Sequence, residues 1–247
     1  MRTTEMTEVF AHRGSSGTHP ENTMAAFIEA ERVGADGLEF DIQMTRDGEL
    51  VVIHDERVDR TTNGDGWVQS MTLKELKKLN TGSKKFRTEK IPTLKEVLGW
   101  AKGNHLRLNL ELKTGLIEYP RLEERVLDMV HHYGVSKRAI LSSFNPSSVK
   151  KVHEIDNRIE TAFLFMERLV EPWEYAKFIG ASGLHCYWRR AAAGIIENTK
   201  QAKLAIRPFT VNRKSHMQRF MKAGCTGIFT DWPEKALQVR SKLQKQK

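Results

Sequence analysis

The 247-residue chain has only two cysteines, Cys186 and Cys225, which lie far apart in the sequence. Neither belongs to a C-x-x-C pair, and two thiols would cross-link little of a chain of this size. The composition therefore argues against a disulfide framework. We expect both thiols to be reduced and to have a structural role.

The sequence also lacks targeting, low-complexity and nucleotide-binding segments. Residues 1–9 include Arg2, Glu5 and Glu8 but no apolar run, so neither a signal peptide nor a membrane anchor is predicted and a cytoplasmic location is expected. No Pro/Gly/Ser-rich stretch divides the chain, so residues 1–247 are expected to form one domain with one large core. No P-loop is present, so a nucleoside triphosphate is not indicated.

Basic charge is in excess, with 40 Lys and Arg against 31 Asp and Glu and a formal net charge of +9. This excess favours anionic partners such as phosphate esters, anionic membrane surfaces or nucleic acid. A solvated basic surface explains it equally well, and residues 240–247 carry only basic charges. Charge alone therefore names no substrate.

Short apolar or β-branched runs recur along the chain, and most are followed by a stretch of helical period. This alternation is typical of parallel β/α units, and eight such units in about 250 residues predict a (β/α)8 TIM barrel. The predicted strands are Val9–Ala11, Gly37–Met44, Leu106–Leu112, Ala139–Ser143, Glu160–Phe165, Gly183–His185, Ala205–Thr210 and Gly227–Thr230. The predicted helices are Asn22–Val33, Thr93–Lys102, Leu116–Tyr133, Pro146–Glu154, Trp173–Ile179, Ala192–Lys200, Ser215–Ala223 and Pro233–Leu243.

Two segments depart from this alternation. Leu50–His54 follows Arg46-Asp47-Gly48, and Asp-Gly between extended segments predicts a hairpin, so an extra strand is expected here. Residues 55–91 then break the β/α rhythm. We interpret them as a small insertion after the second strand region that forms a lid or wall above the barrel.

Catalytic groups of such barrels lie where strands end and the following loops begin. Glu39 and Asp41 are two residues apart on one strand, so their side chains point to the same face, and Glu111 is placed similarly on the next barrel strand. Three convergent carboxylates would repel one another without a cation, and their hard oxygen ligands suit Mg²⁺ or Ca²⁺. Pairing of Glu39 and Asp41 with nearby basic residues is an equally good interpretation.

Phosphodiester cleavage needs an acid, a base and neutralisation of the phosphoryl oxygens. Imidazoles ordinarily titrate near neutrality, so His12 and His54 could form a general acid/base pair, although either histidine alone would more often be structural. Arg13 and Lys113 could contact phosphoryl oxygens, or form ion pairs with the carboxylates, or both. His185 could equally line the pocket as a substrate-binding residue or pack at a strand end.

At these residues the sequence resembles the glycerophosphodiester phosphodiesterase family. The shared motifs span nearly the whole chain in order: His12-Arg13-Gly14, Pro20-Glu21-Asn22-Thr23, Glu39-Phe40-Asp41, Thr45-Arg46-Asp47-Gly48, His54-Asp55, Asn109-Leu110-Glu111-Leu112-Lys113, Ser142-Ser143-Phe144, Thr210-Val211-Asn212 and Thr230-Asp231-Trp232-Pro233. Family members commonly have Trp where this chain has Phe209, which removes an indole N–H donor next to the Thr-Val-Asn motif.

The resemblance implies a barrel with a small insertion and a divalent cation, Ca²⁺ or Mg²⁺, held by Glu39, Asp41 and Glu111. It also implies that His12 and His54 are the acid/base pair and that Arg13 and Lys113 contact phosphate. The products would be glycerol 3-phosphate and an alcohol. A small-molecule substrate is thus expected, with no nucleic acid and no stable membrane anchor, and the oligomeric state is left open.

Two alternatives accompany this hypothesis. One is a lysophospholipid phosphodiesterase acting at membranes, which the basic charge favours and the lack of an apolar anchor disfavours. The other is a non-catalytic barrel that binds phosphate esters. Near the motifs, we expect Glu21 and Asn22 to be structural, with Asn22 or Thr23 capping the first helix, and Asp231 to be a loop or cap residue.

Overall fold

The structure is a computed structural model that describes residues 6–82 and 89–246. Its strands are β1 Glu8–His12, β2 Gly37–Met44, β3 Leu50–Val52, β4 Arg107–Leu112, β5 Ala139–Ser143, β6 Glu160–Phe165, β7 Gly183–Tyr187, β8 Ala205–Phe209 and β9 Gly227–Thr230. Its α-helices are α1 Met24–Arg32, α2 Leu73–Leu76, α3 Leu94–Ala101, α4 Leu122–His132, α5 Pro146–Ile155, α6 Pro172–Phe178, α7 Ala193–Gln201, α8 Lys214–Lys222 and α9 Pro233–Gln244.

Eight parallel strands form a nearly closed barrel in the order β8-β7-β6-β5-β4-β2-β1-β9, with helices between them. At the seam, the Thr226 N–H donates to the Ile206 carbonyl at 3.0 Å and the Val211 N–H donates to the Phe229 carbonyl at 2.7 Å. The predicted (β/α)8 barrel is confirmed. In such a barrel the carboxyl ends of all parallel strands meet at one mouth.

Several strand bounds were predicted to the residue, but the start of α4 was wrong. The predicted helix began at Leu116, whereas α4 begins at Leu122. Pro120 disfavours helical backbone at the residue before it, and Arg121 takes a left-handed conformation with φ +59°. The apolar residues of the sequence keep a helical period before Leu122, but the backbone at Pro120 and Arg121 is not helical.

β3 returns the chain to the mouth of the barrel. Ile42 of β2 pairs with Leu112 of β4 on one edge and antiparallel with Val52 on the other. β3 therefore occupies the edge that β1 uses lower down, where His12 pairs with Glu39. This arrangement brings His54, which follows β3, back towards His12, and the predicted hairpin is confirmed.

The described parts of the 55–91 insertion have a small core of their own. Val58, Val68, Leu76 and Ile91 are buried in one cluster with Val51 of β3. Residues 83–88 of the predicted insertion lie outside the described residues. The insertion is thus packed against the strand that precedes His54.

The amino-terminal half of the barrel interior holds a buried cation. Arg207, 1% exposed, donates to Glu160 at 2.7 Å and lies over the Phe10 ring at 5.5 Å. Glu160 also accepts from Arg107, which pairs with Glu8 at 2.9 Å. These ion pairs close the end of the barrel opposite the mouth.

Both cysteines are unpaired and buried, as the sequence predicted. Burial raises the pKa of each thiol to about 12. Within residues 6–82 and 89–246, none of the helices has the length and apolar character needed to cross a membrane.

Candidate active site

A cavity of about 330 Å³ opens where the parallel strands end, and its two sides differ in chemistry. Polar and charged side chains from β1 to β4 form one side: His12, Arg13, Glu39, His54, Asn109 and Glu111. Predominantly apolar side chains from β5 to β9 form the other side: Phe144, Leu164, Met166, Tyr187, Phe209, Thr210 and Phe229.

The structure brings Glu39, Asp41 and Glu111 together on the polar side. One oxygen from each lies within 4.8 Å of the others, and all three residues are buried. Asp41 and Glu111 are register partners in the β2–β4 ladder, and Glu39 lies two residues before Asp41 on the same face. The spacing of the carboxylates along their strands therefore fixes the cluster.

This cluster fits a hard divalent cation. Glu39 Oε1 and Asp41 Oδ1 are buried and accept no hydrogen bond from any described residue. Burial, together with the negative charges of Asp41 and Glu111, raises the pKa of Glu39 well above its ordinary value. Carboxylate oxygens close together and without a hydrogen-bond donor are the kind of ligand that hard divalent cations bind.

Two cations flank the carboxylates. Lys113 Nζ lies 2.9 Å from Glu111 Oε1 and 3.8 Å from Asp41 Oδ1, and Arg13 Nε lies 3.5 Å from Asp41 Oδ2. Burial acts to raise the pKa of Asp41, but the charges of Lys113 and Arg13 outweigh it and hold this pKa below its ordinary value. Arg13 and Lys113 therefore form ion pairs with the carboxylates beside the cavity, as one of the two interpretations of the sequence predicted.

Arg13 is held in place by its backbone as well as its side chain. Its left-handed backbone, with φ +55°, directs the N–H to Glu39 Oε2 at 2.8 Å, while Nη1 donates to Glu21 Oε1 at 2.8 Å. Asn22 Nδ2 donates to Asp41 Oδ2 at 2.8 Å. Glu21 and Asn22 therefore support the charged groups, and Thr23 caps α1.

Each histidine of the cavity is hydrogen-bonded to a carboxylate through Nδ1. His12 Nδ1 lies 2.7 Å from Asp231 Oδ1, and His54 Nδ1 lies 2.5 Å from Asp55 Oδ1. A carboxylate can only accept, so each Nδ1 carries a proton and each Nε2 is left for other partners. Both rings line the cavity and can exchange a proton there.

Sequence reasoning missed the roles of Asp231 and Asp55. Asp231 was expected to be a loop or cap residue, but its carboxylate joins His12, Ser16 at 3.1 Å and Asn212. Closure of the barrel places β9 beside β1, so residues that end these strands meet although 219 positions separate them. For Asp55, the signal was its position directly after His54.

The structure does not bring His185 to the cavity with the other predicted site residues. His185 is fully buried, two residues before Tyr187 on β7. Its Nε2 lies 3.3 Å from Arg207 Nη1, and its ring contacts Phe229 with centroids 4.8 Å apart. It packs inside the barrel next to a buried cation.

The geometry serves one kind of chemistry well. Cations beside the cavity can neutralise phosphoryl oxygens, and the two imidazoles that line it are groups able to exchange protons. On a (β/α)8 barrel these groups place the protein among the phosphoric diester hydrolases.

Comparison with known proteins narrows the class. The profile of the glycerophosphoryl diester phosphodiesterase family matches residues 12–235, and the chain belongs to this family. A glycerophosphodiester phosphodiesterase of Caldanaerobacter subterraneus subsp. tengcongensis is 45% identical over 92% of this chain and 95% of the relative. One of Bacillus altitudinis is 40% identical over 97% of this chain and 100% of the relative. The predicted family and enzyme class are confirmed.

A solved structure of an Oleispira antarctica phosphodiesterase in complex with the product sn-glycerol-3-phosphate is also similar. It has a TM-score of 0.89 and 29% identity and covers 96% of this chain and 97% of that chain. A solved structure from Silicibacter pomeroyi, with a TM-score of 0.89 and 23% identity over 97% of this chain and 94% of that chain, shares the fold.

Proposed function

We propose that this enzyme hydrolyses glycerophosphodiesters to glycerol 3-phosphate and an alcohol, with a divalent cation, Ca²⁺ or Mg²⁺, held by Glu39, Asp41 and Glu111. The observation that carries the proposal is the cluster of three buried carboxylates beside two carboxylate-bonded histidines. The product complex of the Oleispira antarctica relative supports glycerol 3-phosphate as the product. The cytoplasmic location and the single-domain organisation stay predictions.

The bound cation would supply positive charge to the phosphoryl oxygens. Arg13 and Lys113, already close to the carboxylates, add to that neutralisation. One of His12 and His54 takes a proton from the attacking hydroxyl and the other gives a proton to the leaving oxygen, each through Nε2. If water attacks, glycerol 3-phosphate forms directly. If the hydroxyl of the adjacent glycerol carbon attacks, the alcohol leaves and a cyclic phosphate forms, which water then opens to glycerol 3-phosphate with the acid and base roles of the two histidines exchanged.

The test is release of glycerol 3-phosphate from glycerophosphocholine by the purified protein. We expect chelation to lower the rate by about 100-fold or more, and added Ca²⁺ or Mg²⁺ to restore it. We expect His54→Ala to lower kcat by about 100-fold or more, whereas His132→Ala, on the exposed face of α4, should leave it unchanged.

Two results would contradict this function. Turnover that survives exhaustive chelation would remove the cation from the mechanism. Turnover by His54→Ala at the wild-type rate would remove the two-histidine scheme.

The apolar side of the cavity favours a second candidate, a lysophospholipid, which is a diester whose glycerol carries an acyl chain. Phe144 and Met166 are partly exposed at the mouth, and Leu164 and Phe209 continue the apolar lining inward. Comparison of kcat/KM for glycerophosphocholine and lysophosphatidylcholine separates the two candidates. A higher value for the acylated substrate would identify the lysophospholipid as the preferred one.

A further inference from the structure

Arg60 lies in the insertion, six residues after His54, and its guanidinium binds two carboxylates. Nε and Nη2 donate to Asp55 at 2.6 and 3.0 Å, and Nη1 and Nη2 donate to Glu21 at 2.8 and 2.7 Å. Both contacts are bidentate, a geometry that arginine provides and lysine cannot.

Each of these carboxylates also holds a residue of the site. Glu21 Oε1 accepts from Arg13 Nη1 at 2.8 Å, and Asp55 Oδ1 lies 2.5 Å from His54 Nδ1. The same two oxygens accept from Arg60 Nη2. Arg60 Nη2 therefore joins two chains of hydrogen bonds, one through Glu21 to Arg13 and the other through Asp55 to His54.

In this network the donors around Asp55 and Glu21 stabilise the ionised form of each carboxylate. The hydrogen bonds from Arg60, followed by that from His54, hold the pKa of Asp55 below its ordinary value, although burial opposes them. Burial also acts to raise the pKa of Glu21, but Arg60 and Arg13 outweigh it and lower that pKa. Both carboxylates are therefore anionic acceptors at neutral pH.

We propose that Arg60 is a positioning residue that fixes Arg13 and His54 relative to each other, acting through Glu21 and Asp55. This role rests on the proposed function, in which Arg13 contacts phosphate and His54 transfers a proton. Through Arg60, the insertion would thus contribute to the geometry of the active site. His12 provides an internal comparison, because its partner Asp231 is held by Ser16 and Asn212.

Arg60→Ala should lower kcat by about tenfold and raise KM by about tenfold, within the range found when groups that orient site ligands are removed. Arg60→Lys should recover little of either value, because an ammonium cannot bind both carboxylates bidentately. The matched control is Arg57→Ala. Arg57 lies in the same insertion and, among the described residues, forms ion pairs only with Asp59 and Asp65, so wild-type kinetics are expected.

Double-mutant cycles test the two paths separately. Asp55→Asn should act mainly on kcat and Glu21→Gln mainly on KM, and each effect should shrink to about twofold when Arg60 is already alanine. The proposal would be overturned if Asp55→Asn and Glu21→Gln changed kcat and KM by the same factors in the Arg60→Ala enzyme as in the wild-type enzyme. It would also be overturned by an Arg57→Ala enzyme impaired as strongly as Arg60→Ala, because the loss would then come from loosening of the insertion.

A readout without turnover keeps this proposal separate from the proposed function. In proton NMR, His Nδ1–H groups bonded to carboxylates give downfield resonances, which His12→Ala and His54→Ala assign by their loss. Arg60→Ala or, if that variant fails to fold, Arg60→Lys should broaden or shift the His54 signal and leave the His12 signal in place. An unchanged His54 signal would overturn the positioning role even in an active enzyme, and the expected change would support it even if no glycerophosphodiester were cleaved.

Discussion

His12 and His54 bind carboxylates through the same ring nitrogen, but the two carboxylates have different partners. Asp55 is neutralised by the Arg60 guanidinium, whereas Asp231 is held by the neutral donors of Ser16 and Asn212. Burial acts to raise the pKa of Asp231, but the hydrogen bond and charge of His12 outweigh it and keep that pKa low. Among the described residues, Asp231 thus forms an ion pair with His12 and none with an arginine or lysine.

Asp231→Asn should lower kcat by about 100-fold, because an amide can present its NH₂ to Nδ1 and stabilise the wrong ring tautomer. KM should change little, since Asp231 does not contact the carboxylate cluster. Steady-state kinetics on glycerophosphocholine provide the measurement. Ser16→Ala, which removes one of the hydrogen bonds to Asp231, is the control and should cost less than about tenfold.

The sequence predicted those site residues that lie on one strand or directly follow it. Glu39 and Asp41 follow from strand alternation, and their meeting with Glu111 follows from adjacent strands. The pairing of His12 with Asp231 could not be predicted in this way, because it depends on which strands become neighbours when the barrel closes. Equal activity of Asp231→Asn and wild type would show that this pairing has no catalytic role.

The loop between β1 and α1 is the element that sets the polar side of the cavity. Gly14 follows Arg13 with φ +81°, and a Cβ there would lie 2.7 Å from the Ala26 backbone. The loop thus packs directly against α1, and a tight turn positions both His12 and Arg13. Only glycine fits both the backbone conformation and the space.

Gly14→Ala should destabilise the protein by about 3 kcal/mol, from backbone strain together with overpacking, and should lower activity by displacing Arg13. Gly34→Ala is a matched control. Gly34 has the same φ of +81° but nothing within 4 Å of the added Cβ, so only the strain of about 1 kcal/mol is expected. Urea unfolding measures both, and equal losses would show that the contact with Ala26 is unimportant.

The elements themselves were largely predictable because their signals are local. The extra strand followed from Asp47-Gly48, where Gly48 has φ +86°. Thr93 caps α3, which begins at Leu94, and forms a capping box with Glu96. The predicted start of α4 was wrong because it was based on helical period alone, which does not register the local backbone at Pro120 and Arg121. Periodicity identifies an element more reliably than its end.

Across the whole molecule, charged clusters occupy both ends of the barrel. The mouth holds the carboxylates, and the opposite end holds Arg207 and Arg107 with Glu160 and Glu8. Burial acts to raise the pKa of Glu160, but the charges of Arg207 and Arg107 outweigh it and lower this pKa. Strand spacing did not reveal that these residues, together with His185, would share the interior.

Glu160→Gln should reduce the free energy of unfolding by about 2 kcal/mol at pH 7, because Arg207 stays buried without its nearest charged partner. A lowered folded-state pKa stabilises the fold above the unfolded value of about 4.3, and this contribution is lost as pH falls through the folded value. The difference from wild type should thus shrink below about pH 4.

Urea unfolding at several pH values measures this difference. Glu174→Gln, which breaks an exposed pair with Lys177, is the control and should cost less than about 0.5 kcal/mol. A constant difference between pH 7 and pH 3 would show that the effect of Glu160→Gln does not depend on ionisation.

The division of the cavity into a charged side and an apolar side bears on how the reaction cycle ends. In the proposed reaction the phosphate would stay with the glycerol fragment near Arg13 and Lys113, and the alcohol would be left near the apolar side chains of Phe144, Tyr187 and Phe209 without a charge to retain it. We therefore expect the alcohol to dissociate first and glycerol 3-phosphate last. In steady-state inhibition, glycerol 3-phosphate would then compete with the diester, and short-chain alcohols would inhibit only weakly.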